Sequence, residues 1–492
     1  MTNPNDEPTL HGLSDIRRYF YRNETPTFFI SATNFNLIGI DEWVRSFRFI
    51  NYIDCFDGEH PSVFVPSEAP HRPFTSIEDI NNYLLEHKEV VDYLKTRLGE
   101  GRGRAVFLFF DETTEALCKE LGLDVCFPPA KLRTMVDDKI ETTRIGNRAG
   151  IASVPNVLTK VDSYKHLRET TKALGEQLVL QTAFGDSGHT TFFVSNEEEY
   201  QRHEAEILEA PEVKVMKRIR CRGAAQEACV TRHGTIVGPL MTELVGFPSL
   251  TPYKGGWCGN EVLADSFTQD VRDQARAMTI AFGNELKELG YRGYFELDFL
   301  RDLDTDTLYL GEVNPRITGA SAMTNLAAFA HADAPLFLFH LLEFSGVPFE
   351  LDVDEINERW SDPSNIDGWG QLVMKHTGDV AEIVTGAPRS GVYRLMPDGT
   401  AEFIRVQTHR RTVEREDEGF FLRITKPGDW LYEGADLGIL ITPGRLMTDE
   451  FELNDRARRW IDAIHGCYVS HVPEGPHAIA SPVAEVGNFK ML

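Results

Sequence analysis

The stretch LYLGEVNPRITGAS, residues 308–321, decides how this chain is read. In an extended strand successive side chains alternate between two faces, so Glu312, Asn314 and Arg316 share one. The same alternation puts Leu308 and Leu310 on that face, which makes the strand apolar first and polar at its mouth. A purely structural, half-buried strand has no reason to end by stacking a carboxylate, an amide and a guanidinium. A site that handles a metal and an anion does.

Working outward, GYFELDFLRDLDTDTLYLGEVNPR (293–316) is two strands around a polar loop. Glu296 and Asp298 share a face of the first strand, and a fold about Thr305 sets Asp298 opposite Glu312. Like charges directly across a ladder repel. A hard divalent cation with oxygen ligands, Mg²⁺ or Mn²⁺, is the natural remedy. Asp298, Glu312 and Asn314 are therefore the candidate metal ligands, with Arg316 placed to meet phosphate oxygens bound beside the metal. Any two of these residues alone would read as a solvated surface hairpin. The acids of DLDTD (302–306) lack the glycine and the glutamate that complete a calcium loop, so they read as an exposed tip.

The bulk numbers frame this site. A chain of 492 residues should hold roughly two to four folding units. Its 42% apolar residues suffice for real cores, and 26% charged residues is ordinary. A net charge of -26 argues against a general nucleic-acid binder but not against an anionic small ligand held by local cations. The seven cysteines form no CxxC pair and no zinc-spaced cluster, which fits reduced thiols. The beginning MTNPNDEPTLHG carries no basic-then-apolar signal, and no apolar run approaches the roughly 18 residues of a membrane helix. The expectation is a cytoplasmic protein with neither a nucleic-acid nor a membrane partner.

Residues 27–31, 105–110 and 123–129 read as strands, with Asp111 as N-cap of a helix that Gly122 stops. That cadence predicts a parallel α/β domain over 1–130. A helix is expected over 132–149, closed by Gly150. Strands follow at 178–184 and 190–195 around GDSGH, then at 213–219 and 224–231. The 3-4-3-4 apolar spacing from Val271 to Leu289 predicts a helix over 270–289. A second helix is expected near 320–344, a polar linker over 357–370, short strands beyond it, a helix at 450–464 and a loose tail after 472.

With these residues in hand, the chain resembles an ATP-grasp enzyme of the biotin carboxylase and carbamoyl-phosphate synthetase branch. EVNPRITGAS resembles that branch's metal-and-phosphate strand. The segment CFPPAKLRTMVDDKIETTRIGNRAGIASVPN resembles the entry to the ATP-grasp domain, whose phosphate-contacting lysine falls on Lys139. LVLQTAFGDSGHTTFFV is similar to the glycine loop that closes over the phosphates, here through Gly185, Ser187 and Gly188. VKVMKRI resembles the adenine hinge and would put Lys217 and Ile219 against the base. These likenesses span about 130 to 345, and the last third is weakly similar to a biotin carboxylase C-terminal domain. The implied fold is α/β and α+β: an α/β domain over 1–130, an ATP-grasp domain over 131–350 with its lid at about 155–235, and a β-rich domain over 351–492.

The departures are as informative. The second phosphate lysine of the family is Gln181 here, which can donate a hydrogen bond but brings no charge. The loop has fewer glycines, the hinge has Met216 near its frequent acid, and Ile317 to Ala320 lack the glutamate that biotin carboxylase carries. Lys254, in the glycine-rich TPYKGGWCGNE (251–261), is the candidate for an acceptor-site cation, and Glu227 for a nucleotide contact or a solvated strand face. Cys258 has no assignable His or Asp partner, and GDSGH misses the final glycine of a hydrolase elbow. The resemblance implies an ATP- and Mg²⁺-dependent ligase that activates a carboxylate as an acyl phosphate and passes it to an amine. It also allows a homodimer. Two other readings stay open: a bicarbonate-using biotin carboxylase-type enzyme, with biotin supplied separately, and an ATP-binding regulatory protein of weak activity.

Overall fold

The computed structural model describes residues 9–67, 74–184, 191–325 and 334–473. The first strand signals form one parallel sheet, in the order Val63–Phe64, Phe47–Asn51, Thr27–Ser31, Gly103–Phe107 and Leu123–Val125. Thr27–Ser31 is buried along its whole length, as the middle strand of a sheet covered on both faces must be. The helix Glu112–Glu120 starts where expected: Asp111 accepts from the Thr114 amide, Thr114 caps it in return, and Gly122 takes the left-handed conformation. The apolar run 105–110 leaves the strand after Phe107, and this exit carries Leu108 and Phe109 to the wall of the central cleft.

A ten-stranded sheet forms the body of the protein. Its first strand is Leu308–Asn314, followed by Gly293–Asp302, Cys221–Thr231, Gly234–Val245 and Trp257–Val262. Trp257–Val262 then pairs with Trp369–Lys375, so the sheet runs on without a break into the strands of the last third. The helix Gln269–Glu288 starts at an N-cap, Thr268, and buries Val271, Ala275, Met278, Phe282 and Leu286. These pack with Phe295, Leu297, Phe299, Leu308, Leu310 and Val313 in one core.

That core corrects one expectation about 308–314. Leu310 pairs with Phe299 and Glu312 with Asp298, so Gly311 is the extra residue of a β-bulge. The bulge resets the alternation. Leu308 and Leu310 turn into the core with Val313, while Glu312 and Asn314 turn to the opposite face. Without it, strict alternation would place Glu312 beside the leucines.

A smaller antiparallel sheet, in the order Asn156–Thr159, Val213–Lys217, Leu178–Gln181 and Thr191–Val194, stands over the cleft. Its own apolar core includes Leu178, Leu180, Phe192, Val194, Val213 and Val215. The single helix expected over 132–149 is two, Ala130–Asp137 and Lys139–Arg148. Asp138 is extended and accepts from the amides of Ile140 and Glu141, so it opens a new helix and makes Lys139 its first residue. The expected linker 357–370 is ordered structure: the helix Val353–Ser361 buries Asn357 and Trp360, and a strand begins at Trp369. Its polarity misleads because Asn357 bonds inward, to the Thr235 carbonyl and the Val237 amide. Helices Ser321–Thr324 and Leu336–Glu343 flank residues 326–333, which lie outside the described residues, as do the loop 185–190 and the tail from 474. The last helix begins at its Asn454 cap and spans Asp455–His465.

A Cβ at position 311 would lie 2.9 Å from the Asp298 carbonyl oxygen. Gly311→Val should destabilise the protein by about 1–3 kcal/mol, the usual cost of overpacking. Urea titration followed by circular dichroism reads this out. An unchanged midpoint would contradict the bulge.

Candidate active site

The carboxylates of Asp298 and Glu312 face each other across the ladder, as their neighbours Glu296 and Asn314 do one pair further along. The bulge aims both pairs into a cleft of about 650 Å³ between the small sheet, the central sheet and the N-terminal domain. Glu312 is ion-paired with Lys139, which reaches it from the first turn of its helix. Asn314 donates to Asp298 Oδ2 at 2.9 Å and accepts from Arg316 Nη2 at 2.8 Å through its Oδ1. Arg316 also donates to the Ile317 carbonyl at 3.2 Å, and its guanidinium lies 4.4 Å from the centre of the Phe109 ring. Acid, amide, lysine and arginine thus come together as the sequence implied, although Arg316 lies beyond the strand, in a turn closed by its amide on the Asn314 carbonyl.

The electrostatics are those of crowded charge. Burial raises the Asp298 carboxyl to about 7, the Glu312 charge adds to the effect, and the Asn314 bond opposes it. Burial also disfavours charge on Glu312, but Lys139 and then Arg316 outweigh it and hold that carboxyl below its ordinary range. Burial works against the Lys139 ammonium too, and Glu312 more than restores it. A third acid, Glu243 of the strand Gly234–Val245, lines the same cleft with its carboxyl pushed up by burial and then by Asp298 and Glu312. The sequence reading missed it. A lone acid inside the apolar run GTIVGPLMTELV was the available signal.

Not every expected residue joins this cluster. Gln181 lines the cleft, but Gly185, Ser187 and Gly188 lie outside the described residues. Lys217 is exposed and Ile219 half-buried; the residue of their strand that lines the cleft is Met216, because Val213 and Val215 claim the opposite face. Lys254 is exposed at the tip of its turn, while Gly255 and Trp257, which follow it, line the cleft. Glu227 is neither nucleotide-facing nor solvated. It is fully buried opposite Glu296 and takes hydrogen bonds from the hydroxyls of Tyr294, Thr318 and Ser321. Thr318 also bonds Glu296. Burial raises both carboxyls, most strongly at Glu296, whose next cause is the Asp298 charge. The buried Cys258 thiol is pushed up to about 12 by burial, which rules out a ready nucleophile. Of the acids of 302–306, Asp304 is held by Arg220 and Asp306 by Arg301, while Asp302 accepts from the Asp304 amide.

No protein-family model matches the sequence, and no curated protein matches it significantly. Solved structures do match its fold. Biotin carboxylase from Campylobacter jejuni in complex with β,γ-ATP superposes with a TM-score of 0.58 at 12% identity, covering 90% of this chain and 92% of that one. The biotin carboxylase domain of 2-oxoglutarate carboxylase from Hydrogenobacter thermophilus, a dimer with MgADP, ADP and bicarbonate, gives 0.56 at 13% over 85% and 86%. Phosphoribosylamine–glycine ligase from Thermotoga maritima gives 0.56 at 12% over 91% and 98%. The fold is ATP-grasp.

The residues present would fit a hard divalent cation with oxygen ligands. Asp298 Oδ1 is buried without a hydrogen-bond partner, facing Glu312 across the pair. Among the described residues no trio of His, Cys, Asp or Glu forms a complete cage. No described helix is long and apolar enough to cross a membrane.

The Asp298 shift has a signed consequence for stability. A carboxyl raised from 3.8 to about 7 on folding costs nothing below pH 4, and its cost grows as pH rises toward 7. In the metal-free protein Asp298→Asn should therefore raise the melting temperature at pH 8, an advantage that fades as pH falls toward 4. Melting curves recorded in EDTA across that range check the sign.

Proposed function

We propose that the protein is an ATP- and Mg²⁺-dependent ligase that activates a carboxylate as an acyl phosphate and transfers the acyl group to an amine. The observation that carries the proposal is the facing pair Asp298–Glu312, flanked by Lys139 and Arg316 at the bottom of one cleft. When bound, the metal would supply charge neutralisation between carboxylates and phosphates, held by Asp298, Glu312 and the Asn314 amide oxygen. Lys139 is placed to leave Glu312 for the phosphates, and Gln181 to donate to them from the facing sheet. Met216 and Phe184 offer apolar surface for the base.

Arg316 then orients the carboxylate. One carboxylate oxygen attacks the γ-phosphorus, the bond to the β-phosphate oxygen breaks, and ADP leaves with that electron pair. The amine nitrogen next attacks the acyl carbon, phosphate departs, and the amine gives up a proton. Two anions must meet in this sequence, and the local cations offset their repulsion. The acceptor end of the cleft is bounded by Phe109, Trp257 and Arg133, and its occupants are proposed to be small molecules. A homodimer is proposed from the dimeric Hydrogenobacter domain.

The likeness to two biotin carboxylases favours a second reading, carboxylation with bicarbonate. Against it, residues 317–320 contain no acid, and the nearby buried acids Glu227 and Glu296 are engaged by hydroxyls. The test is ADP release with a panel of carboxylates and amines, and separately with bicarbonate and free biotin. Release dependent on one carboxylate–amine pair, lowered at least ~100-fold by Arg316→Met, is the expected result. Bicarbonate-dependent release stimulated by biotin would select the second reading. ATP binding with no turnover under any mixture would make the chain a regulatory ATP binder.

A further inference from the structure

The small sheet facing the hairpin holds a second lysine that the sequence reading passed over. Lys214 pairs with Gln181 across adjacent strands, so the two side chains lie side by side on one face. Val213, Val215, Leu178 and Leu180 fill the other face. Lys214 is only 1% exposed. Among the described residues its ammonium has no carboxylate at ion-pair distance, and its single hydrogen bond runs 3.4 Å to the carbonyl of Gly311, the bulge residue before Glu312. An ammonium has three donors, so two are unused. A buried cation with one long bond to a neutral acceptor is an expensive arrangement unless an anion completes it.

Its electrostatic neighbours say which end of the cleft that anion occupies. Glu312 and Lys139 are the charges that act on it. Gln181, beside it, occupies the place where the fold's second phosphate lysine is expected. We propose that Lys214 supplies to the nucleotide phosphates the positive charge that position 181 lacks, the lysine having moved one strand across the same sheet face. This inference rests on the nucleotide-binding reading above. Gln181 and Gly311 both line the cleft, and a lysine beside the first with its ammonium on the carbonyl of the second would approach the phosphates from the side.

The test is equilibrium binding of MgATP and of adenosine to the full chain, by calorimetry. The variants are Lys214→Met, Gln181→Lys and the double variant, with folding checked by circular dichroism. Lys214→Met should weaken MgATP at least tenfold and leave adenosine within twofold. Gln181→Lys placed in the Lys214→Met background should recover most of the loss. A merely structural lysine would weaken both ligands together or neither, and either result overturns the inference. If Lys214→Met does not fold, Lys214→Gln and the charge-retaining Lys214→Arg give the same comparison: only arginine should keep the preference for triphosphate. A wild-type chain that binds no ATP would instead overturn the nucleotide reading itself.

Discussion

Two carboxylates on neighbouring strands are made to face each other, and most of the site follows from that constraint. Asp298 and Glu312 would repel in any dry setting, and each is handled differently. Glu312 keeps its charge through Lys139, whereas Asp298 meets the amide of Asn314 and tends toward its protonated form. The bulge at Gly311 makes this arrangement compatible with folding. It lets one strand give Leu308, Leu310 and Val313 to the core while turning Glu312 and Asn314 outward. Hydrophobic burial therefore stabilises a strand whose other face carries an acid crowded against a second one, the usual division of labour between a scaffold and its site.

The strap that follows the strand is tied down from every side. Its Thr318 carbonyl accepts from Asn36 of the N-terminal domain and its Gly319 carbonyl from Gln371 of the last third. Trp257 packs so closely on Gly319 that a Cβ there would lie 2.2 Å from the ring. Beneath, Thr318 and Ser321 bond the buried acids Glu227 and Glu296. Buried polar networks of this kind are costly unless satisfied, and satisfied they fix one conformation. Arg316 is thereby held between Asn314 and Phe109 before any substrate arrives.

Much of this was legible in the sequence, and what was not has identifiable causes. The facing of Asp298 and Glu312 followed from counting about Thr305, and the helix Gln269–Glu288 from its apolar period. The face of Leu308 and Leu310 was misread because a one-residue bulge reverses alternation without changing composition. The break at Asp138 was missed although Asp is a strong cap, since the apolar spacing runs through it. Residues 357–370 read as a linker because Asn357, in the helix Val353–Ser361, is polar yet bonds inward. Lys217 entered through a matched motif, and Lys214 is found only by applying the strand's period. Val213 and Val215 inside leave Lys214 and Met216 on the opposite face, where Lys214 lies beside Gln181 and Met216 lines the cleft.

The same period explains how the two sheets communicate. The amide of Lys139 bonds the carbonyl of Ala183, at the end of the strand Leu178–Gln181, while its ammonium holds Glu312 on the central sheet. Lys214 makes a second link of the same kind, from the small sheet to Gly311. Both links end at the bulge, one on its carbonyl and one on the carboxylate beside it. On the proposed reading, an anion entering between the sheets would compete for both ammonium groups at once and take over the contacts that link the sheets. The inter-sheet contacts and the proposed recognition thus depend on one set of charges. Both are set by the strand residue that has no side chain.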